Sequence, residues 1–264
     1  LEGLRVKWGL DKPIVEQYTN YMQRLLRGDM GRSFHMKVEV FPAILDRLPA
    51  TGMLAASGLL VALLIGIPAG VISAVRQYHW ADHTVMVASL TGISLPAFLQ
   101  GLLLIYFLAY AVPIFPIGGY GELRHLVLPA VTLGIHSGAW YARILRSIML
   151  DILGEDYIRT AVSKGLRGYL VITRHGLRNA LGPIVTMVGA DLGYYLGGVL
   201  VVEKVFGWPG IGMFAWTSIA YRDMPVIMAT VLTGAFFLVL ANLLVDAIQV
   251  FIDPRTRLGS SELR

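Results

Sequence analysis

The chain has 264 residues, 56% hydrophobic and only 15% charged, with a net charge of +5 and no cysteine. A soluble domain carries about 25% charged residues, so much of this surface must meet lipid rather than water. The lack of cysteine excludes disulfides, thiolate metal sites and cysteine nucleophiles, and no Lys/Arg cluster interleaved with aromatics marks a nucleic-acid groove.

Residues 1–48 read as an extracytoplasmic segment ahead of the membrane region. Asp11 is suited to cap a helix, Pro13 to sit in its first turn and Gly28 to end it. Ile14, Tyr18, Tyr21, Met22, Leu25 and Leu26 share one face of that helix, which is expected to pack on the membrane domain. The sequence opens at Leu1 with no apolar leader, as in a chain that begins partway into a protein.

A membrane-crossing helix needs about 20 mostly apolar residues. Five such runs follow, at about 50–75, 84–112, 126–146, 180–202 and 224–252, inside a membrane domain covering 49–252. The second run is longer than one straight span needs. The runs are apolar all round, as in an all-α membrane protein. Small residues recur within them, among them Gly58, Gly66 and Gly70 and then Gly189, Gly193 and Gly197, and these suit close helix contacts in lipid.

Polar residues inside the runs are candidates for function. Asp191 lies mid-span, where an unpaired charge costs at least about 2.5 kcal/mol. Either it lines a pore and meets a cationic substrate group, or it is paired across helices or protonated. Gln100 and His136 are expected to make helix–helix hydrogen bonds, and Asn242 with Asp246 to bond structurally near one end of the last run. His79 and His83 flank Asp82 in a short loop, which reads as solvated rather than as a metal site.

The segment from Arg143 to Arg178 is rich in Lys and Arg, which assigns it to the cytoplasmic side. The tail 253–264, with Arg255, Arg257 and Arg264, then also lies inside. The N-terminal stretch lies outside, and only Arg32, Lys37 and Arg47 in it are near enough to a span to weigh against this orientation. Within loop 147–179, residues 155–169 form an amphipathic pattern. Ile158, Ala161, Val162, Gly165, Leu166 and Tyr169 occupy one arc, and Asp156, Arg159, Ser163, Lys164 and Arg167 the other. Such a helix either lies on lipid headgroups or docks into a groove of a partner protein.

EDYIRTAVSKGL followed by RHGLRNALGPIV resembles the coupling-loop signature of ABC-importer permeases, in the dipeptide/oligopeptide/nickel branch. GLDKPIVEQY, LLRGDMGRSF, RLPAT, SLPAF, LVLPAVTLG, VVEKVFGWPGIG, RDMPV and NLLVDAIQVFIDPR continue the resemblance in order over nearly the whole chain. Two departures from the broader family, Arg159 in place of a glutamate and Gly182-Pro183, further downstream than in other branches, in place of the terminal Leu-Pro, fit this branch. The family also has a further N-terminal membrane helix, so six spans with both ends inside are expected of the whole subunit.

The resemblance implies a type I ABC-importer permease fold in a bacterial or archaeal cell membrane. It implies a second homologous permease subunit, two ATPase subunits that bind ATP and magnesium, and an extracytoplasmic substrate-binding protein. This chain itself carries no G-x-x-x-x-G-K-[ST] phosphate loop and is read as a pore subunit, not an enzyme. Di- or oligopeptides are the implied cargo, with nickel chelates or glycosides as alternatives. Tyr157, Ile158, Arg159, Ala161, Val162, Lys164, Gly165 and Leu166 are expected to contact the ATPase, with Gly165 permitting close backbone approach. The glycine-rich loop holding Trp208, Pro209 and Gly210 is expected to form an outer gate or to dock the binding protein, with Trp208 and Trp216 at an interface. A secondary transporter is the rival reading. It leaves the loop helix unexplained, and no internal repeat of the kind such transporters carry is present.

Overall fold

Eleven helices account for the regular structure of residues 12–252, which the computed structural model describes, with side chains through residue 248. The expected Asp11 cap and the tail 253–264 lie outside the described residues. A single isolated bridge, Arg32 to Glu39, is the only extended pairing among them. In chain order the helices are α1 (Ile14–Leu26), α2 (Val40–Leu45), α3 (Leu48–Val75), α4 (Trp80–Ser94) and α5 (Ala97–Ala111, its second half a π-helical stretch). Then come α6 (Leu123–Leu153), α7 (Asp156–Ser163), α8 (Gly168–Leu196), α9 (Leu200–Phe206), α10 (Ile211–Ala220) and α11 (Met224–Ile252).

The bundle is organised around two glycine-mediated pairs. A Cβ on Gly58 would meet Leu133, one on Gly66 would meet Gly138 and Tyr141, and one on Gly70 would meet Ala142 and Leu145. Residue numbers rise together, so α3 and α6 run parallel. This requires α4 and α5 to carry the chain back between them. On α8, Gly189 faces Val245, Gly193 faces Leu238 and Ala241, and Gly197 faces Gly234. Here the numbers run oppositely, so α8 and α11 are antiparallel.

Val40–Val75 and Met224–Ile248 are each long and apolar enough to cross a membrane, and α4 with α5 and α8 with α9 can each make one bent span. The remaining expected span, 126–146, lies in α6, which is 31 residues long but falls short on apolarity. Its buried face holds Thr132, Gly134, Ser137 and Gly138, and its outward stripe holds His136, Trp140 and Arg143. A helix wrapped by protein needs less apolar surface than one wrapped by lipid.

Two expected spans are broken. The run 84–112 is not one long helix, because α4 and α5 meet at 104° across Leu95 and Pro96. Proline has no N–H and pushes the preceding residue to an extended conformation, and Leu95 has φ −78° and ψ 126°. The buried Gln100 Nε2 donates to the carbonyls of Gly92 at 2.7 Å and Leu95 at 2.8 Å, which satisfies groups that the break frees. The run 180–202 starts earlier, at Gly168, and stops at Leu196. The chain then turns through Gly198, at φ +101°, and α9 leaves at 59°.

The N-terminal helix packs only in part: on its expected face Tyr21, Met22 and Leu25 are half-buried, while Ile14, Tyr18 and Leu26 are exposed. α1 buries none of its residues, and Ile14 is 83% exposed. The part that docks is the segment after it: Val40, Ala43 and Ile44 of α2 join Ile211, Phe214, Val226 and Ala229 in one apolar cluster.

Helix contact in lipid rests on packing rather than on a hydrophobic drive, so side chains added at the α3–α6 contact are costly. A Cβ at Gly66 would lie 2.7 Å from Tyr141 Cβ and 2.8 Å from the Gly138 carbonyl, whereas one at Gly52 meets nothing within 4 Å. Gly66→Val is expected to destabilise the purified chain in detergent by about 1–3 kcal/mol, read as a lower melting midpoint, and Gly52→Ala to leave the midpoint unchanged.

Candidate functional site

The amphipathic segment is built at the end of the bundle where α3 and α6 finish. Glu155 is extended and starts α7, with Asp156 in the first turn beside its positive end. The helix stops at Ser163, earlier than the expected 155–169, because Gly165 turns left-handed at φ +77° and donates to the Val162 carbonyl at 2.9 Å. A Cβ on Gly165 meets nothing within 4 Å, so within the chain this glycine serves the turn and not a close approach.

Two residues expected on the docking face point inward instead. Ile158 and Ala161 are buried against Val171, with Ile152 and Leu153 packed beside them. Tyr157 accepts a hydrogen bond from Asn179 Nδ2 at 3.1 Å, a second tie to α8. The surface left free is Tyr157, Arg159, Val162, Lys164 and Leu166, with Val162 58% exposed. The helix is thus held to α6 and α8 by one face and shows the other to solvent.

At the same end, Asp82 is not solvated. Arg146 on α6 donates to its two oxygens at 2.6 and 2.7 Å. The Ser73 hydroxyl and the Tyr78 N–H, at 2.9 Å, add further bonds. This pair fastens the α3–α4 corner to α6, and removal of one partner would leave a buried, uncompensated charge. The sequence showed Asp82 only as a loop acid, since its partner lies 64 residues away. Among the described residues no three His, Asp or Glu side chains converge as metal ligands.

At the opposite end, the loop holding Trp208, Pro209 and Gly210 folds onto the start of α3. Trp208 is fully buried, not interfacial, and its Nε1 donates to the Ala50 carbonyl at 2.9 Å. Pro209 is exposed, as is Trp216. Glu203 is fully buried and pairs with no cation among the described residues. Its carboxylate accepts from Thr51 Oγ1 at 2.9 Å and from the Met213 N–H at 2.8 Å at the start of α10, while the Ile211 N–H donates to Thr51 Oγ1 at 2.9 Å. Gly210 is required here, because a Cβ on it would lie 2.1 Å from the Glu203 carboxylate. Sequence reasoning singled out Gly210 and Trp208 but missed Glu203 and Thr51, which hold them.

A second clasp at this end uses Asp223, also missed. It is buried and accepts from Ser33 Oγ at 2.5 Å, the Phe34 N–H at 3.0 Å and the His35 N–H at 3.1 Å. The His35 ring stacks on Tyr221 with centroids 3.6 Å apart. Burial pushes the Asp223 carboxyl up, and the Ser33 hydroxyl, the two amides and nearby His35 together outweigh it, leaving the group below the usual carboxylate range.

Midway between the ends, Tyr141 on α6 donates to Asp191 Oδ2 on α8 at 2.6 Å, and Ser137 bonds the Tyr195 hydroxyl at 2.6 Å. Asp191 is half-buried. One of its oxygens is therefore paired across helices, and its other oxygen accepts no hydrogen bond among the described residues. His136 is exposed, as are Asn242 and Asp246, so the structural bonds expected for these three are not made within the described chain.

Residues 66–258 match the family described as binding-protein-dependent transport system inner membrane component. The chain is 41% identical over 257 residues to the glutathione transport system permease protein GsiC of Pectobacterium atrosepticum, covering 97% of this chain and 84% of that protein. It is 39% identical, with the same coverage, to GsiC of Escherichia coli strain K12. Among solved structures, an inward-facing MetNI methionine ABC transporter matches with a TM-score of 0.66 at 16% identity, covering 80% of this chain and 96% of that one. An amino acid ABC transporter solved with histidines matches at 0.59 and 18% identity, covering 81% and 94%. At these identities the structural likeness establishes the fold, that of ABC-importer permeases.

Because the Asp223 carboxyl is depressed in the folded chain, it contributes stability above its unfolded pKa of about 3.9, and that contribution is lost as pH falls through the folded value. Asp223→Asn is expected to lower the melting midpoint at pH 7 by several degrees and to flatten its decline below about pH 4. Equal midpoints for the two proteins at pH 7 would remove the clasp from the account.

Proposed function

The chain belongs to the family of binding-protein-dependent transport inner membrane components, in the dipeptide/oligopeptide/nickel branch, and from that premise we propose that this ABC-importer permease subunit moves short peptides. It forms half of the pore. A second homologous permease forms the other half, two ATPase subunits bind ATP and magnesium on the cytoplasmic side, and an extracytoplasmic binding protein delivers the peptide. The relatives named for glutathione transport support a peptide-like cargo, since glutathione is a tripeptide.

The observation that carries the mechanism is the two-faced packing of α7. Its inner face, Ile158 and Ala161, is fixed on Val171. Its outer face offers Tyr157, Val162 and Leu166 as apolar contacts and Arg159 and Lys164 as charges for an acidic rim. This is the surface on which the ATPase docks. A push on the outer face passes through Ile158 and Ala161 into α6 and α8. These helices run to the far end of the bundle, so closing the ATPase pair tilts them and exchanges inward- and outward-open states. The left-handed turn at Gly165 and the extended Arg167 let α7 and α8 meet at a corner without continuing as one helix.

At the far end, the Glu203–Thr51 and Asp223–Ser33 clasps hold the loop of Pro209 and the N-terminal segment as one outer surface. That surface serves the binding protein and the outer gate. Trp208 contributes from inside, as the anchor of the loop.

Val162→Asp places a charge on the free face without touching the inner one. In the reconstituted complex it is expected to lower peptide uptake by about tenfold or more while the melting midpoint of the chain stays the same. Undiminished uptake would show that the ATPase docks elsewhere.

A further inference from the structure

The seam between α6 and α8 has one covered side and one open side. The bonds Ser137–Tyr195 and Tyr141–Asp191 fix the seam and show that the two helices run antiparallel. On one side α3 covers it, touching Leu133, Gly138, Tyr141 and Leu145 of α6 and sharing a core with Val188, Leu192 and Leu196 of α8. One residue back from each bonded position lies about 100° around the helix. On antiparallel neighbours those steps turn to the same side of their common plane, here away from α3. The residues so placed are exposed: His136 and Trp140 on α6, Ala190 and Tyr194 on α8. Helical spacing extends the two stripes to Arg143 and Ser147, and to Thr186 and Pro183, all exposed.

This side is unsuited to lipid. Arg143 forms no ion pair among the described residues, and Asp191 keeps one oxygen unbonded at the seam while Tyr141 holds the other. Trp140, 45% exposed, and Tyr194, 65% exposed, flank these opposite charges. Neighbouring helix axes lie about 8–10 Å apart, and an extended di- or tripeptide spans at most about 7–11 Å. The two charges therefore match a short zwitterion in sign, across helices whose axis spacing is comparable with the length of such a peptide.

We propose that the open side of the α6–α8 seam is a transit subsite for short peptides, in which Asp191 receives the α-ammonium, Arg143 receives the terminal carboxylate, and Trp140 and Tyr194 contact the chain between them. Tyr141 acts as a positioning residue that fixes the Asp191 carboxylate. The subsite rests on the peptide-importer reading and adds to it the ends of the cargo that the pore recognises.

The chain has no cysteine, so Ala190→Cys introduces a single thiol on this side, and Ser147→Cys gives a second probe if the first variant fails to assemble. In vesicles of the reconstituted complex, a membrane-impermeant thiol reagent is expected to label the introduced thiol. A radiolabelled tripeptide supplied on the binding protein with ATP is expected to slow labelling several-fold. Adding Asp191→Asn or Arg143→Gln is expected to abolish the slowing. A thiol that never reacts, because a partner helix or lipid covers this side, overturns the subsite, as does slowing that survives both substitutions. Uptake measured in the same vesicles separates the two levels. ATP-driven uptake with an unreactive thiol sinks the subsite alone, and no tripeptide uptake by the unsubstituted chain sinks the peptide reading itself.

Discussion

The close approach of α3 and α6 is the constraint on which the remaining helices depend. With lipid on the outside, apolar surface gains little by leaving it, and helices associate through dispersion contacts and hydrogen bonds. The stretch from Gly58 to Gly70 on α3 and from Gly134 to Gly138 on α6 brings backbone against backbone, with the Gly138 carbonyl within 3 Å of where a Cβ on Gly66 would stand. Because this pair is parallel, α4 and α5 must return the chain across the membrane, and because α6 is wrapped by α3, α4 and α8, it is free to carry polar residues. The side of the α6–α8 seam that faces α3 is packed with apolar side chains, and the opposite side carries Trp140, Arg143 and Tyr194, with Asp191 in the seam itself.

Each end of the bundle is then closed by buried, hydrogen-bonded carboxyl groups. Asp82 with Arg146 locks the α3–α4 corner beside α7, and Glu203 and Asp223 lock the far loops through hydroxyl and backbone donors. Buried carboxyl groups are tolerated where hydrogen bonds or an ion pair offset the lost hydration. They join segments far apart in sequence and fix both ends of the bundle. The bends present, at Leu95–Pro96 and at Gly198, sit inside spans and divide them into arms.

Much of this was legible in the sequence, and the misses have physical causes. The five apolar runs marked where helices lie, since length and apolarity are local properties. The breaks were written locally too, in Pro96 and in Gly197–Gly198, but apolarity continues through both sites and concealed them. The amphipathic arc at 155–169 located α7 but overran its end at Ser163, and periodicity does not tell an apolar face that meets a partner from one that meets its own chain. Ile158 and Ala161 proved to be of the second kind. Glu203, Asp223 and Asp82 were invisible as sites because their partners, Thr51, Ser33 and Arg146, lie 152, 190 and 64 residues away.

The most direct test of the account is the energy source of transport. Uptake of a radiolabelled tripeptide would be measured in proteoliposomes of the purified complex, with the binding protein present or absent, under ATP alone or under an imposed proton or sodium gradient alone. The account predicts uptake only when ATP and binding protein are both supplied, because in it the ATPase drives the pore through the proposed docking face of α7. Uptake on a gradient alone, without ATP or binding protein, would contradict it and place the chain among secondary transporters.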